Sequence, residues 1–229
     1  MNSNKKTARI AGLIYLGVVL NGLFSLMYVP SKLFASDNAS LTLQNIVSSE
    51  SLFRFGIVSG LLCYGFFLFL PLQLYKLFKP VNENYAKLMV LLAVVVVPMY
   101  FINVQNEFSV LSLIGTSDNV YGLSTEQIQS QVLLYLEQYD NGMRVIHIFS
   151  GLWLFPFGYL VFKSGFLPKV FGILLMLGCF GYLINFLGST LDPNYSKIGI
   201  SFYISLPASL GEIGICLWLL IIGAKNKQL

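Results

Sequence analysis

Charged residues are scarce in this chain: Asp, Glu, Lys and Arg make up 10% of its 229 residues, against about 25% in a typical soluble domain. The chain also has only three scattered cysteines and one histidine, which excludes a disulfide scaffold and a zinc ribbon. Hydrophobic residues, in contrast, make up 56% of the chain and aromatic residues 15%. This composition excludes an ordinary soluble domain and indicates a protein of the lipid bilayer.

Six stretches are long and apolar enough to cross a membrane. A spanning helix needs about 20 apolar residues, because in the hydrocarbon every backbone N–H and C=O group must be paired within the helix. The predicted spans are residues 10–29, 52–72, 88–108, 143–162, 170–191 and 200–222. We therefore expect an all-α, polytopic bundle of six transmembrane helices that forms a single domain over residues 1–229.

The basic residues are distributed unequally between the two membrane faces that six alternating helices would have. Cationic flanks tend to stay in the cytoplasm during insertion. Ten basic residues fall on one face, namely Lys5, Lys6, Arg9, Lys76, Lys79, Lys87, Lys163, Lys169, Lys225 and Lys227, and four on the other, namely Lys32, Arg54, Arg144 and Lys197. The sequence therefore predicts that both termini are cytoplasmic.

The outer connection between helices three and four contains a further helical pattern, over residues 124–139. Ser124 and Gln127 are spaced as a capping box, and Ile128 and Val132 begin a run of apolar residues at helical spacing. The pair Asn141-Gly142 is typical of a helix end. We predict a short amphipathic helix that lies in the membrane interface or covers an opening below it.

Polar residues recur on one face of several spans, and such faces are expected to turn inward. At about 1.5 Å of rise per residue, most of them lie in the outer half of the bundle. The candidate buried polar cluster, or ligand site, consists of Asn21, Arg54, Asn103, Glu107, Arg144, His147, Asn185 and Glu212. Glu212 is the deepest, so we expect it to face Arg144 or Arg54, to bond to His147, or to carry a proton.

Two interpretations of this cluster stay open. The residues can form interhelical hydrogen bonds, each contributing about 0.5–2 kcal/mol, or they can line a binding pocket. The leading functional hypothesis is a non-enzymatic membrane protein that binds a small molecule or lipid, with transport as one use. The alternatives are a membrane-embedded enzyme acting on a lipid or prenyl substrate, with His147 and Glu107 or Glu212 as acid and base, and a structural or accessory subunit.

The sequence predicts neither a metal nor a cofactor, because His147 is the single histidine and would need carboxylates to complete a metal site. The expected partners are membrane lipids and a small-molecule or lipid ligand. Nucleic acid is not expected, because lysines next to the bilayer are explained by insertion and by anionic lipid. Neither the oligomeric state nor the ligand can be predicted from these residues.

Several short segments resemble a known family. They are ARIAGLIYL at residues 8–16, LFR at 52–54, LFKPVN at 77–82, the block at 158–168 that ends in KSGFLP, and GYLI at 181–184. Together they are similar to the bacterial six-span membrane family catalogued as domain of unknown function 4386. The resemblance implies a single-domain protein of the bacterial cytoplasmic membrane, and it assigns no catalytic or binding residue.

Overall fold

The computed structural model describes residues 3–35, 38–115 and 122–224. Within these ranges all regular structure is helical, which confirms the predicted all-α class. The elements are α1 Ser3–Leu23, a π-helical segment Phe24–Tyr28, α2 Val29–Leu33, α3 Ala39–Ser48, α4 Glu50–Phe78, α5 Glu83–Asn103, α6 Gln105–Ile114, α7 Thr125–Leu152, α8 Leu154–Ser164, α9 Lys169–Leu191, α10 Tyr195–Ile198 and α11 Ile200–Ile221.

Six helical segments of the described chain are long and apolar enough to span a bilayer, as predicted. Spans three and four each consist of two helices that follow one another across a single turn, at Val104 and at Trp153. Spans one to six are Asn4–Leu33, Glu50–Phe78, Glu83–Ile114, Thr125–Ser164, Lys169–Leu191 and Ile200–Ile221. The protein is therefore a multi-pass membrane protein.

The six spans form a closed ring. Each span packs against the next along the chain, and α1 packs against α11, so the first and last spans are neighbours. At this closure Arg9 Nη2 donates a hydrogen bond to the carbonyl oxygen of Ile221, at 3.0 Å. The two ends of the described chain thus meet at one end of the bundle, which we call the terminal face; the opposite end is the far face.

Glycines allow the helices to approach closely at this closure and elsewhere in the ring. A Cβ atom added to Gly12 of α1 would lie 2.7 Å from Leu220 Cα and 2.8 Å from the carbonyl carbon of Leu219. A Cβ at Gly178 of α9 would lie 2.8 Å from Ala208 Cα in α11. Small residues of this kind are typical of contacts between helices in a membrane, where close backbone packing stabilises association.

Aromatic side chains fill the interior of the half nearer the terminal face. The ring centroids of Phe67 and Trp153 lie 5.2 Å apart, those of Trp153 and Phe157 5.1 Å, and those of Phe157 and Phe78 5.9 Å. Trp153, Phe157 and Phe78 are buried. This half is therefore packed with apolar groups, as the distribution of polar residues along the sequence predicts.

The predicted amphipathic helix begins where expected but does not end there. Ser124 and Gln127 form the capping box, whereas α7 continues through Asn141 and Gly142 to Leu152, so the amphipathic segment is the far-face extension of span four and not a separate helix. The reason is tertiary. Asn103 of span three lies in the space that a side chain at Gly142 would occupy, and its Nδ2 donates to the carbonyl oxygen of Tyr139 at 2.9 Å.

At the far face, α3 has no counterpart among the predictions, and α6 carries span three beyond its predicted end at residue 108. Helix α3 packs against α2, α4 and α7 and buries Thr42 and Ile46. Helix α6 packs against α7. Both extend the bundle beyond the spans predicted from hydropathy alone.

Candidate functional site

A cavity of about 270 Å³ lies between the spans, and each of the six contributes to its lining. Ligand pockets commonly measure about 300–1,000 Å³, and an apolar cavity of about 150 Å³ is enough for benzene. This space, the central cavity, is therefore large enough for a molecule somewhat bigger than benzene. Its polar and aromatic lining consists of Tyr15, Cys63, Tyr64, Phe67, Ser150, Trp153, Tyr182, Ser209 and Glu212.

Glu212 provides the carboxylate of the central cavity. Tyr15 reaches it across the contact between α1 and α11, and its hydroxyl donates a hydrogen bond to Glu212 Oε1 at 3.1 Å. Among the described residues, then, the partner of Glu212 is Tyr15 and not Arg54, Arg144 or His147, the three partners that the sequence indicated. A carboxylate can accept about four hydrogen bonds, so Glu212 keeps acceptor capacity beyond the Tyr15 hydroxyl.

The central cavity opens sideways between spans one and six. The most exposed apolar residues of its lining belong to these two spans: Leu23, Met27 and Ile213 are 44%, 64% and 42% exposed. Met27 belongs to the π-helical segment, in which the amide of Val29 bonds to the carbonyl oxygen of Phe24. π-Helical turns of this kind are frequent at functional sites. In a membrane, the opening would face the hydrocarbon.

A second pocket, of about 400 Å³, lies nearer the far face between α7, α9, α10 and α11. It brings together three of the predicted site residues, Arg144, His147 and Asn185. Tyr182 and Ser209 line this far-face pocket and the central cavity alike, and the rings of His147 and Tyr182 lie 5.7 Å apart. Tyr182 and Ser209 thus mark the boundary between the two spaces.

Asn185 has a structural role in the wall of the far-face pocket. Its Nδ2 donates to Ser205 Oγ at 2.9 Å, and its Oδ1 accepts a hydrogen bond from the Tyr195 hydroxyl at 2.7 Å. These bonds tie α9 to α10 and α11. The side chain is therefore held by the protein itself, as the interpretation of the polar cluster as interhelical hydrogen bonds predicts.

Asn21 and Asn103 also make hydrogen bonds within and between helices. Asn21 Nδ2 donates to the carbonyl oxygen of Gly17 at 2.8 Å, and its Oδ1 accepts from Ser59 Oγ of α4 at 2.9 Å. Asn103 bonds to the backbone of α7, as described above. Neither asparagine lines the central cavity or the far-face pocket.

Arg54 and Glu107 lie apart from both spaces. Arg54 Nη2 forms an ion pair with Glu50, one turn earlier in α4, at 2.6 Å, and the arginine side chain is 53% exposed. The prediction that Arg54 lies in the interior is therefore wrong, because Glu50, four residues earlier, provides a carboxylate on the surface of the same helix. Glu107 is partly buried in α6, and its Oε2 has no hydrogen-bond partner among the described residues.

Sequence reasoning missed Tyr15, Tyr64 and Trp153 as cavity residues. Tyr15 lies on the same helical face as the buried Ala8 and Ala11, so small residues one and two turns earlier could have marked this face as a contact surface. Tyr64 stacks on Tyr100, with ring centroids 3.8 Å apart. Aromatic side chains are common throughout this sequence, and no pattern in it separated these three from those that face lipid.

The acid–base pair that the enzyme hypothesis needs does not form in the described structure. A catalytic pair requires groups within hydrogen-bond reach of each other. His147 lines the far-face pocket and Glu212 lines the central cavity, and no hydrogen bond joins His147 to a glutamate within the described ranges. In the same ranges, no group of three or more His, Cys, Asp and Glu side chains is arranged to hold a metal ion.

Comparison with known proteins places the chain in a family. An uncharacterised protein of Archaeoglobus fulgidus is 35% identical over 82 residues, which cover 36% of this chain and 46% of the relative. The chain thus matches less than half the length of that relative. No solved structure matches the chain significantly. A family model matches residues 10–223, and the chain therefore belongs to the family described as Domain of unknown function (DUF4386).

Proposed function

We propose that this membrane protein binds a small molecule or lipid in its central cavity. The observation that carries the proposal is a cavity to which all six spans contribute and which opens sideways between spans one and six. A bundle whose role is only structural gains stability from close packing, because an empty space forfeits the contacts of its lining atoms. A cavity at the centre of a ring of helices is a common place for a ligand.

The lining agrees with a ligand that arrives through the membrane. The apolar lining residues Leu23, Leu26, Met27 and Ile213 are exposed, whereas Tyr15 is buried and Glu212 half-buried. Binding sites are typically apolar with a few polar groups that fix the orientation of the ligand. This distribution supports an amphipathic ligand whose apolar part occupies the opening and whose polar part reaches Glu212.

The proposal can be tested with a substitution that fills the cavity. Gly22 lines the central cavity, and the one atom near a Cβ built on it is Cys63 Sγ at 3.4 Å, an ordinary contact distance. Gly22→Leu should therefore extend into the empty space. Gly65 in α4 offers a matched control, because a Cβ there has nothing within 4 Å and Gly65 does not line the cavity.

The measurement is thermal unfolding of purified protein in nonionic detergent against a panel of lipids and small hydrophobic metabolites. A ligand at 100 times its Kd stabilises the native state by about 2.7 kcal/mol. We expect at least one compound to stabilise the wild type and Gly65→Leu but not Gly22→Leu. The proposal fails if no compound stabilises the wild type, or if Gly22→Leu responds to every compound as the wild type does.

We also propose that the protein lies in a cytoplasmic membrane with its terminal face inside. The support is the excess of Lys and Arg at the helix ends of that face, which insertion tends to retain in the cytoplasm. Lys79→Cys and Thr125→Cys would place a thiol at the terminal face and at the far face. In intact cells an impermeant thiol reagent should label Thr125→Cys alone, and the reverse pattern would overturn this orientation.

A further inference from the structure

The charge that lines the central cavity is negative. Within the described part of the chain, its lining includes the Glu212 carboxylate and no Lys, Arg or His side chain. The hydrogen bond from Tyr15 is a contact with a neutral hydroxyl, so it does not neutralise the carboxylate. A carboxylate shielded from water is costly when it lacks a counter-charge, and a positively charged ligand would supply that charge.

Aromatic rings surround the same space. Tyr15, Tyr64, Phe67, Trp153 and Tyr182 all line the cavity, and the faces of such rings attract cations, more strongly when water is excluded. Several of these rings are held in place by other rings. Tyr64 stacks on Tyr100, and Trp153 contacts Phe67 and Phe157. The aromatic surface is therefore positioned before a ligand arrives.

The opening adds a condition on the rest of the ligand. Its lining by Leu23, Leu26, Met27 and Ile213 is apolar, so a strongly hydrated ion would lose its water without compensation on the way in. A methionine side chain is flexible and adapts to ligands of different shape. The approach thus favours a molecule whose charge is attached to a bulky apolar group.

We propose that the central cavity recognises a small lipophilic organic cation, with its ammonium group between the Glu212 carboxylate and the tyrosine rings and its apolar group toward the opening. This inference rests on the proposed function, because it names the class of ligand for the same cavity. Carboxylate and aromatic rings together favour a cation over a neutral molecule of the same shape. The far-face pocket, which contains Arg144, offers no such environment.

A pair of isosteric probes tests the charge alone. Phenyltrimethylammonium and tert-butylbenzene have the same shape and differ in the central atom of the branched group, which is a charged nitrogen in one and a carbon in the other. The assay is ligand-dependent thermal unfolding of the full chain in nonionic detergent, with Kd obtained from the concentration dependence. We expect the wild type to bind the cation at least about tenfold more tightly, because the Glu212 carboxylate attracts the charged probe and not the neutral one.

Two glutamate variants test whether Glu212 causes the preference for the cation. Glu212→Gln should weaken binding of the cation at least about tenfold and leave binding of tert-butylbenzene unchanged, because the amide keeps the shape but not the charge. Glu107→Gln, the same change at a glutamate that does not line the cavity, should leave both affinities unchanged. If Glu212→Gln does not fold, the affinities of the wild type for the two probes still show whether the cavity prefers a cation.

The outcomes separate this inference from the proposed function. Equal binding of both probes by the wild type, or an undiminished preference for the cation in Glu212→Gln, overturns the cation class while cavity binding stands. Binding of neither probe overturns the cation class as well. The proposed function itself falls only if the broader panel also yields no compound that Gly22→Leu excludes.

Discussion

Gly12 lies where the first span meets the last, and replacing it with alanine tests how tightly the ring is closed. The new Cβ would lie 2.7 Å from Leu220 Cα and 2.8 Å from the carbonyl carbon of Leu219, and would also crowd the Leu220 amide nitrogen. All three neighbours are backbone atoms of α11. A change of rotamer cannot relieve these contacts, so the two helices must move apart.

The size of the effect follows from two opposing contributions. Overpacking of a well-packed site typically costs about 1–3 kcal/mol, whereas alanine is favoured over glycine inside a helix by about 1 kcal/mol. Gly65→Ala in α4 gains the helix propensity of alanine without overpacking, because a Cβ there meets nothing within 4 Å. We therefore expect Gly12→Ala to be less stable than Gly65→Ala by about 1–3 kcal/mol.

The free energy of unfolding of both variants would be measured in mixed micelles by titration with a denaturing detergent, with tryptophan fluorescence as the signal. The difference between the two variants matters more than either value, because the helix propensity contribution is common to both. If Gly12→Ala is as stable as Gly65→Ala or more stable, α1 and α11 do not approach each other at this point, and the closed ring is wrong.

Three further predictions concern the polar residues, each measured by the same unfolding titration. Asn185→Ala should destabilise the protein by about 1–2 kcal/mol, because it removes the hydrogen bonds that join α9 to Ser205 and Tyr195; no loss of stability would contradict a structural role. Arg54→Ala should cost about 0.5 kcal/mol or less, since its ion pair with Glu50 is exposed, and a much larger cost would mean that the arginine acts in the interior. Ser124→Ala should cost about 1 kcal/mol through loss of the capping box of α7; hydrogen exchange should then be faster in the first turn of α7 and unchanged in its membrane-spanning part.

The helical class and the six spans could be predicted because they depend on local composition. A stretch of about 20 apolar residues is excluded from water along its whole length, and its backbone has to form a helix in lipid whatever its neighbours are. The capping box at Ser124 was predictable for a similar reason, because it involves residues three apart in one turn. The end of the same helix was not predictable. Asn141-Gly142 is typical of a helix end, but in the folded protein Gly142 makes room for Asn103 of another span, and the local sequence does not show this contact.

The polar cluster shows the same division between local and tertiary information. Helical spacing identified polar residues in the spans, but it could not tell which partner each would find. Arg54 forms an ion pair with Glu50 on its own helix, and Asn185 forms hydrogen bonds with Ser205 and Tyr195. Glu212 accepts a hydrogen bond from Tyr15, which lies almost the whole chain away in sequence.

The sequence by itself determined that this protein crosses a membrane six times and that polar groups are present within the spans, because both properties follow from the transfer of individual segments into lipid. The tertiary structure decided that α1 closes the ring against α11 and that Glu212 faces an aromatic cavity. These features depend on which helix faces meet, and that choice is set by close packing at residues such as Gly12 and Gly178, whose effect appears only when two distant segments are in contact.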